Sequence, residues 1–151
     1  MTTGSILVLE RIEPVADGVS VIIRVSEPRW LRTSIRPTLA EECLALLPGL
    51  ARHRCESGSA HGIVAELANT ETPHLVEHVA LELLALAGWP RDMRGRTRWD
   101  FVRDGRGVFR VWIGCGEVNA ASAALSGAIE IVIRLLTGGD RPDVDVLVAA
   151  I

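Results

Sequence analysis

The sequence predicts an α+β domain with two layers, in which an antiparallel sheet carries helices on one face. Two pairs of β-rich runs stand at either end of a helical central region, so two β-hairpins can join into one sheet. Residues 73–88 place apolar side chains at helical spacing, which indicates a buried central helix. At 151 residues, we expect a single domain over residues 1–151.

The chain begins with the first predicted hairpin. Its strands are the β-rich runs at residues 5–12 and 19–26. Pro14 and the Asp17-Gly18 pair supply turn chemistry between them. The six intervening residues therefore predict a hairpin with a longer loop.

Two helices are predicted before the central one. Thr38 and Glu41 have the spacing of a capping box, which predicts that a helix over residues 39–47 begins there. Residues 62–68 are expected to form a second, shorter helix. The central helix itself is predicted to begin at Pro73, with Thr72 as its cap, and to end at Gly88.

Three polar residues on the central helix match the pattern of a metal-dependent hydrolase. His74 and His78 are four residues apart, so both imidazoles project from one face and can bind one metal ion. Glu77 directly precedes the second histidine, which gives H-x-x-E-H, the inverted zinc-hydrolase motif. The alternative is a polar cluster in which both histidines have structural partners.

Two residues upstream also carry side chains with metal or acid–base chemistry. His53 is interpreted in three ways: as a third metal ligand, as a hydrogen-bond donor to a transition state, or as a loop histidine with a local partner. Cys55 is interpreted as a small buried residue rather than a nucleophile, because no basic surroundings are visible in the sequence.

The second half of the chain predicts another hairpin and a long helix. Residues 94–102 and 107–113 are expected to be strands, joined by a turn at Asp104-Gly105. An apolar, small-sided helix follows over residues 118–136. Residues 144–151 are interpreted as a last strand or as a tail that docks to a partner.

Three arginines alternate along the first strand of this second hairpin. Arg94, Arg96 and Arg98 therefore share one face of the strand. Such a row can hold carboxylates with bidentate hydrogen bonds. The alternative is solvated charge on an edge strand, which protects a sheet against aggregation.

Composition narrows the function classes. The 16 basic residues, all arginine, nearly balance 19 acidic ones, so neither a nucleic-acid nor a membrane partner is expected. Three separated cysteines without C-x-x-C argue against a disulfide framework and favour a cytoplasmic location. No signal peptide is visible, and no apolar run is expected to span a membrane. A homo-oligomer is compatible with the sequence.

Several segments together resemble the N-terminal domain of cyanophycin synthetase. The most specific are HLVEHVALEL at 74–83 and GRTR at 95–98, within a match in register from about residue 39 to residue 136. Weaker matches are LLPGL at 46–50, HRC at 53–55, LAG at 86–88 and GVFRV at 107–111. We expect a free-standing copy of that domain, because the ATP-using domains of the family do not follow within these 151 residues.

The resemblance implies one of two activities. Cyanophycin synthetase makes a poly-aspartate polymer with arginine joined to each side chain by an isopeptide bond. Its N-terminal domain holds the polymer near the ligase sites, and in some members it is a metal-dependent hydrolase that cuts the polymer into primers. The second alternative here is therefore a non-catalytic module that holds a charged polymer or docks to a separate peptide ligase.

The hydrolase hypothesis assigns roles to particular residues. His74 and His78 would bind Zn²⁺ or another divalent metal, and Glu77 would be the general base. Glu117 is the first choice for the third ligand, because inverted-motif enzymes take that ligand from later in the chain. Glu82 is interpreted mainly as an acceptor that orients His78. The residues that remain as alternative third ligands are Glu82, His53 and Cys115.

The same hypothesis predicts the substrate. Arg96 and Arg98 would hold the carboxylates of an Asp/Arg-rich peptide or isopeptide. In the binding-module alternative, the same arginines would hold the polymer without cutting it.

Overall fold

The computed structural model of the protein describes residues 4–55 and 62–151. The first half contains two strands and two helices, and the second half contains two strands and three helices. In chain order the elements are β1 (Leu7–Val15), β2 (Gly18–Val25), α1 (Leu39–Leu46), α2 (Thr72–Leu86), β3 (Gly95–Arg98), α3 (Phe101–Asp104), β4 (Val108–Ile113), α4 (Val118–Thr137) and α5 (Val144–Ala149). Single turns of 3-10 helix occupy Pro28–Trp30, Thr33–Ile35, Pro48–Arg52 and Ile63–Ala65.

The four strands form one antiparallel sheet in the order β1-β2-β4-β3. Val19 of β2 lies opposite Ile113 of β4, and Gly95 of β3 lies opposite the same Ile113 on the other side. The sheet is therefore made of two hairpins joined through β2 and β4. This confirms the predicted α+β, two-hairpin architecture.

One face of the sheet is covered by helices. Along β2 and β4 every second side chain is buried and the intervening ones are partly or fully exposed, as strand geometry requires for a half-covered sheet. α2 packs against α4 and against β3 and β4, while α4 contacts β1 and β2. The core lies between these layers, and α2 is buried over most of its length.

The first hairpin has a shorter loop than the sequence predicted. β1 continues through Pro14 and pairs to Val15, so only Ala16 and Asp17 remain in the turn. Pro14 is tolerated because β1 is an edge strand, where a missing N–H removes no ladder hydrogen bond. The predicted six-residue loop is wrong for this reason.

The second hairpin has a helical turn where the sequence predicted a continuous strand. β3 ends at Arg98, and α3 begins three residues later, at Phe101, because the Asp100 carboxylate accepts a hydrogen bond from the Arg103 backbone N–H. Phe101 then packs edge-on against Phe109, with ring centroids 5.4 Å apart. The cap and this contact outweigh the β-rich pattern of the segment.

The C-terminal segment is a helix that packs on the domain itself, so the predicted strand is wrong. Asp143 caps α5, since its carboxylate accepts hydrogen bonds from the Asp145 and Val146 backbone N–H groups. α5 packs on α2 and α4. The apolar side chains that face the core recur at helical spacing: Val144, Leu147, Val148 and Ile151.

The structure also differs from the sequence-based predictions at two helix caps and at one helix. α2 is flanked by Glu71, because the Thr72 hydroxyl donates to the Trp30 carbonyl instead of capping the helix. At α1, Thr38 is the flanking residue but its side chain makes no capping hydrogen bond. The helix expected over residues 62–68 is reduced to the 3-10 turn Ile63–Ala65.

α4 departs from the expectation that no apolar run could span a membrane. Its 20 residues are long and apolar enough by length and composition, although 56% of the most apolar window is buried. A buried core helix of a soluble protein has the same properties, so this is weak evidence for a membrane.

Candidate metal centre

The first two turns of α2 place both motif histidines beside Cys55. Cys55 follows the 3-10 helix Pro48–Arg52, which contacts α2. His78 and Cys55 are buried, and His74 is partly buried. One ligand atom from each of the three lies within 4.8 Å of the other two. This is a buried Cys–His–His group that could hold a metal ion.

Two of the separations between the donor atoms match those found around zinc. Cys55 Sγ lies 3.6 Å from His74 Nε2 and 3.6 Å from His78 Nε2. A tetrahedral zinc ion with ordinary bond lengths to sulfur and nitrogen sets such donors about 3.5 Å apart. Both separations from the Cys55 sulfur are therefore compatible with a shared zinc ion, and the three ligand atoms together lie within 4.8 Å of one another.

His74 is held from behind by a hydroxyl. Its Nδ1 lies 2.8 Å from Thr70 Oγ1, and that hydroxyl donates to Glu71 Oε2 at 3.3 Å. The hydroxyl oxygen can thus accept the Nδ1 proton of His74, which leaves Nε2 as the nitrogen that faces Cys55.

His78 is held from behind by a second histidine. His78 Nδ1 lies 3.1 Å from His53 Nδ1, and His53 Nε2 lies 2.8 Å from Glu82 Oε2. Both ring nitrogens of His53 are engaged. This arrangement matches the local-partner interpretation of His53 rather than a role as third ligand or transition-state donor.

Glu82, on α2, is the last residue of the hydrogen-bonded row His78–His53–Glu82. Arg91 donates two hydrogen bonds to its carboxylate, at 2.9 and 3.0 Å, while the carboxylate itself is only 1% exposed. Gly49 permits this position, because a Cβ atom there would lie 1.9 Å from Glu82 Oε1. Glu82 was predicted to orient His78, and it contacts His53, which in turn contacts His78.

Glu77 lies beside the group and is fixed by β3. Its Oε2 accepts a hydrogen bond from Thr97 Oγ1 at 2.6 Å, and its Oε1 is 3.9 Å from His78 Nε2. A Cβ atom on Gly95 would approach Glu77 Cγ and Oε1 to 2.7 Å. The glycine therefore provides the space in which this carboxylate sits.

Burial sets the protonation states of the three donors. Burial, together with the smaller effects of Glu66 and Glu77, raises the pKa of the Cys55 thiol to about 12. Burial also lowers the pKa of His74, against the opposing effect of Glu66. It lowers the pKa of His78 well below the usual 6.5. At neutral pH the metal-free group therefore has a thiol and two neutral imidazoles.

Two adjoining cavities open onto the group. The larger, about 570 Å³, and the smaller, about 270 Å³, share Cys55, Glu77 and Gly95 in their walls. Among the described residues that line them, Glu77 and Asp92 are the acids. The basic side chains that line them are Arg52, Arg54, Arg91, Arg94, Arg96 and Arg98.

Arg96 and Arg98 lie at the smaller cavity, on the edge strand β3. Both side chains are exposed, and the Arg96 guanidinium also lies 5.5 Å from the centre of the Trp112 ring. Both arginines line the smaller cavity, while Thr97 between them is the β3 residue whose side chain contacts Glu77.

Glu117 and Cys115 lie elsewhere. Glu117 is exposed at the start of α4, where its carboxylate accepts a hydrogen bond from the Asn119 N–H at 3.3 Å. The buried Cys115 thiol donates to the Glu117 carbonyl. The described linings of the two cavities contain neither residue. Glu117 was the first choice for the third ligand and Cys115 an alternative, whereas the residue that the structure places beside both histidines is Cys55.

Sequence reasoning missed Cys55 because no short motif connects it to the histidines. It lies 19 residues before His74, whereas the third ligand was expected later in the chain. The available signals were its residue type, since thiolates are common zinc ligands, and its place two residues after His53.

The fold and the site together define a two-layer α+β domain in which the H-x-x-E-H helix and Cys55 form a group that could hold a metal ion. Comparison with known proteins then shows the family. Residues 20–137 match the model of the cyanophycin synthase-like N-terminal domain, and the chain belongs to that family.

One relative illustrates the relationship. The chain is 32% identical over 105 residues to cyanophycin synthetase of Synechocystis sp.. The alignment covers 69% of this chain but 12% of the relative. The predicted resemblance is thus confirmed, and it concerns a small part of the relative's length.

Proposed function

We propose that this protein is a zinc-dependent amide hydrolase that acts on an Asp/Arg-containing peptide or isopeptide. The observation that carries the proposal is the convergence of Cys55 Sγ, His74 Nε2 and His78 Nε2 within 4.8 Å, beside the Glu77 carboxylate. Three protein ligands would leave a fourth position open, as catalytic zinc sites do.

The donor types support zinc as the metal. A thiolate and two imidazoles are the ligands that zinc prefers over magnesium or calcium, which take oxygen ligands. All three cysteines of the chain are free, so Cys55 is available as a ligand. A cytoplasmic location would keep this thiol reduced. When bound, zinc supplies a Lewis acid that activates water for attack on a carbonyl.

Glu77 supplies the proton transfer in this proposal. Its Oε1 faces the histidines while Thr97 holds Oε2, so the carboxylate is fixed with one oxygen toward the cavity. That oxygen would take the proton of the attacking water and deliver it to the leaving amine. The order of residues in H-x-x-E-H gives this role to the glutamate.

The charge of the cavities supports an acidic substrate. Six of the described lining residues are arginines, against two acids, so the cleft is complementary to carboxylates. Arg96 and Arg98 at the smaller cavity would hold substrate carboxylates with bidentate hydrogen bonds. In a polymer of the cyanophycin type, those carboxylates would be the α-carboxylates of the side-chain arginines.

A second candidate is a module that binds the polymer, or a separate peptide ligase, without chemistry. The arginine-lined cleft favours it, because carboxylate binding there needs no metal.

The test is a cleavage assay with zinc-loaded protein and two substrates, cyanophycin and synthetic Asp/Arg peptides. We expect new amine ends to appear with the wild type, and Glu77→Gln to lose about 10²- to 10⁴-fold in rate while it keeps its metal. Unchanged cleavage by Glu77→Gln would refute the role of Glu77. Zinc-loaded wild type that binds the polymer and cuts neither substrate would favour the binding module.

A further inference from the structure

His53 contacts the ring nitrogen of His78 that does not face Cys55. The two Nδ1 atoms are 3.1 Å apart, whereas His78 Nε2 lies 3.6 Å from Cys55 Sγ. We propose that His53, held by Glu82, is a positioning residue that places the His78 proton on Nδ1 and leaves Nε2 free as a ligand. This inference rests on the proposed metal site and deepens it.

The position of the proton on His53 and on His78 follows from Glu82, the acceptor at the end of the row His78–His53–Glu82. An ionised Glu82 carboxylate can only accept hydrogen bonds, so His53 must donate from Nε2 across 2.8 Å. A neutral imidazole with its proton on Nε2 has a lone pair on Nδ1. That lone pair can only accept, so His78 must donate from Nδ1. His78 Nε2 is then unprotonated and directed toward Cys55 and His74.

Arg91 allows His53 to be neutral. The guanidinium makes two hydrogen bonds to Glu82 and neutralises its charge, so the carboxylate needs no second cation. A doubly protonated His53 would instead donate from Nδ1 to the His78 Nδ1 lone pair and move the His78 proton to Nε2. Because Arg91 already neutralises Glu82, we infer a neutral His53 with its single proton on Nε2.

Glu82 is also fixed by its packing. It is 1% exposed, and Gly49 leaves no room for a side chain where the Glu82 carboxylate lies. By contrast, the Thr70 hydroxyl behind His74 can donate or accept, so it does not by itself impose a tautomer. The row that begins at Glu82 therefore determines the protonation of His78 more strictly than Thr70 determines that of His74.

The direct test is long-range ¹H–¹⁵N correlation NMR of the histidine rings in the metal-free wild-type protein at neutral pH. Single His→Gln variants assign the four histidines. We expect a proton on Nδ1 of His78 and on Nε2 of His53. A proton on Nε2 of His78, an averaged mixture of tautomers, or a doubly protonated His53 would overturn the inference.

A second test uses Glu82→Gln. Arg91 donates to both Glu82 oxygens and His53 shares Oε2 with it, so a neutral amide with one oxygen cannot accept all three hydrogen bonds, and the support of His53 weakens. We expect a 10- to 100-fold loss of Zn²⁺ affinity in a chelator competition assay, as is typical when such a supporting partner is lost. Glu42→Gln is the matched control, because Glu42 also pairs with an arginine, Arg36, but lies on α1.

The two tests separate this inference from the proposed function. A folded Glu82→Gln protein with wild-type zinc affinity would contradict the positioning role. If that variant does not fold, the wild-type NMR result decides. The expected tautomers in a wild type that binds no zinc would refute the metal site and leave the positioning of His78 intact.

Discussion

Cys55 is the residue whose chemistry changes most if a metal binds. Its raised pKa, about 12, means that the thiol is protonated at pH 7, whereas a zinc ligand must be a thiolate. His74 and His78 are already neutral, because burial lowers the pKa of both. We therefore predict that zinc binding at pH 7 releases about one proton from this site, as measured by calorimetry in buffers of different ionisation enthalpy.

Cys55→Asp is the control for this proton count. A carboxylate at that position is ionised at pH 7 before zinc arrives, so the release should fall by about one proton. Equal proton release by the wild type and the variant would contradict the assignment of Cys55 as a ligand.

Gly95 is a residue through which the position of Glu77 can be tested. A methyl group there would meet the Glu77 carboxylate at 2.7 Å, so Gly95→Ala should displace the proposed base. We predict at least a 10-fold loss of cleavage rate with zinc binding retained, and a destabilisation of about 1–3 kcal/mol from overpacking. Rates are compared at saturating substrate, and stability by urea unfolding.

Gly116→Ala is a matched control for this substitution, because a Cβ atom there would meet no atom within 4 Å. It should keep the wild-type rate. If Gly95→Ala also kept it, Glu77 would not need its observed position.

α2 is the element that connects the site to the stability of the fold. Burial alone would raise the pKa of the Glu82 carboxyl, but the bonds from His53 and Arg91 outweigh that effect and lower it to about 2. A lowered pKa stabilises the fold above the unfolded value near 4.5, and this stabilisation is lost as pH falls through 4.5 toward 2.

We predict that metal-free wild type loses about 2 kcal/mol of unfolding free energy through Glu82 between pH 4.5 and pH 3. Glu82→Gln should be less stable at pH 7 but should lack this part of the pH dependence. Urea unfolding across the range measures both. A Glu82→Gln profile parallel to that of the wild type would show that Glu82 is not the group responsible.

The helices and strands differ in how accurately the sequence predicted them. α2 and α4 were predicted closely because long helical periodicity, with Gly88 and Gly138 beyond their ends, is a local signal. α3 and α5 were missed because each depends on an aspartate cap that turns a β-rich run into a helix. The two hairpins were predicted because they are also local, whereas the sequence did not indicate that β2 and β4 are the strands that join them.

The site was predicted where it lies on one helix and missed where it depends on tertiary contacts. His74, Glu77 and His78 come from spacing on α2. Cys55 and His53 come from a segment that packs across α2, and the sequence does not show that packing. The Glu117 expectation came from the order of ligands in other inverted-motif enzymes, which the present fold does not follow.

At the scale of the whole molecule, zinc should stabilise the fold. The proposed ligands come from the segment before Ile63–Ala65 and from α2, so a bound ion would connect parts of the chain that unfolding separates. At free zinc 100 times the dissociation constant, the gain is about 2.7 kcal/mol. For a domain of this size, we predict a rise in Tm of roughly 5 to 10 °C.

Scanning calorimetry with and without zinc measures this shift. His74→Ala/His78→Ala should show none, while magnesium should leave the wild type unchanged because the donors are soft. An equal zinc shift in the double variant would place the ion elsewhere on the protein.

The measurement that tests the central claim most directly is the zinc content per chain, determined by mass spectrometry of protein purified without chelators. The wild type should carry about one zinc, and Cys55→Ser and His74→Ala/His78→Ala should carry little or none. A folded wild type without zinc, which also fails to take up zinc added in excess, would contradict the metal centre and with it the proposed hydrolase.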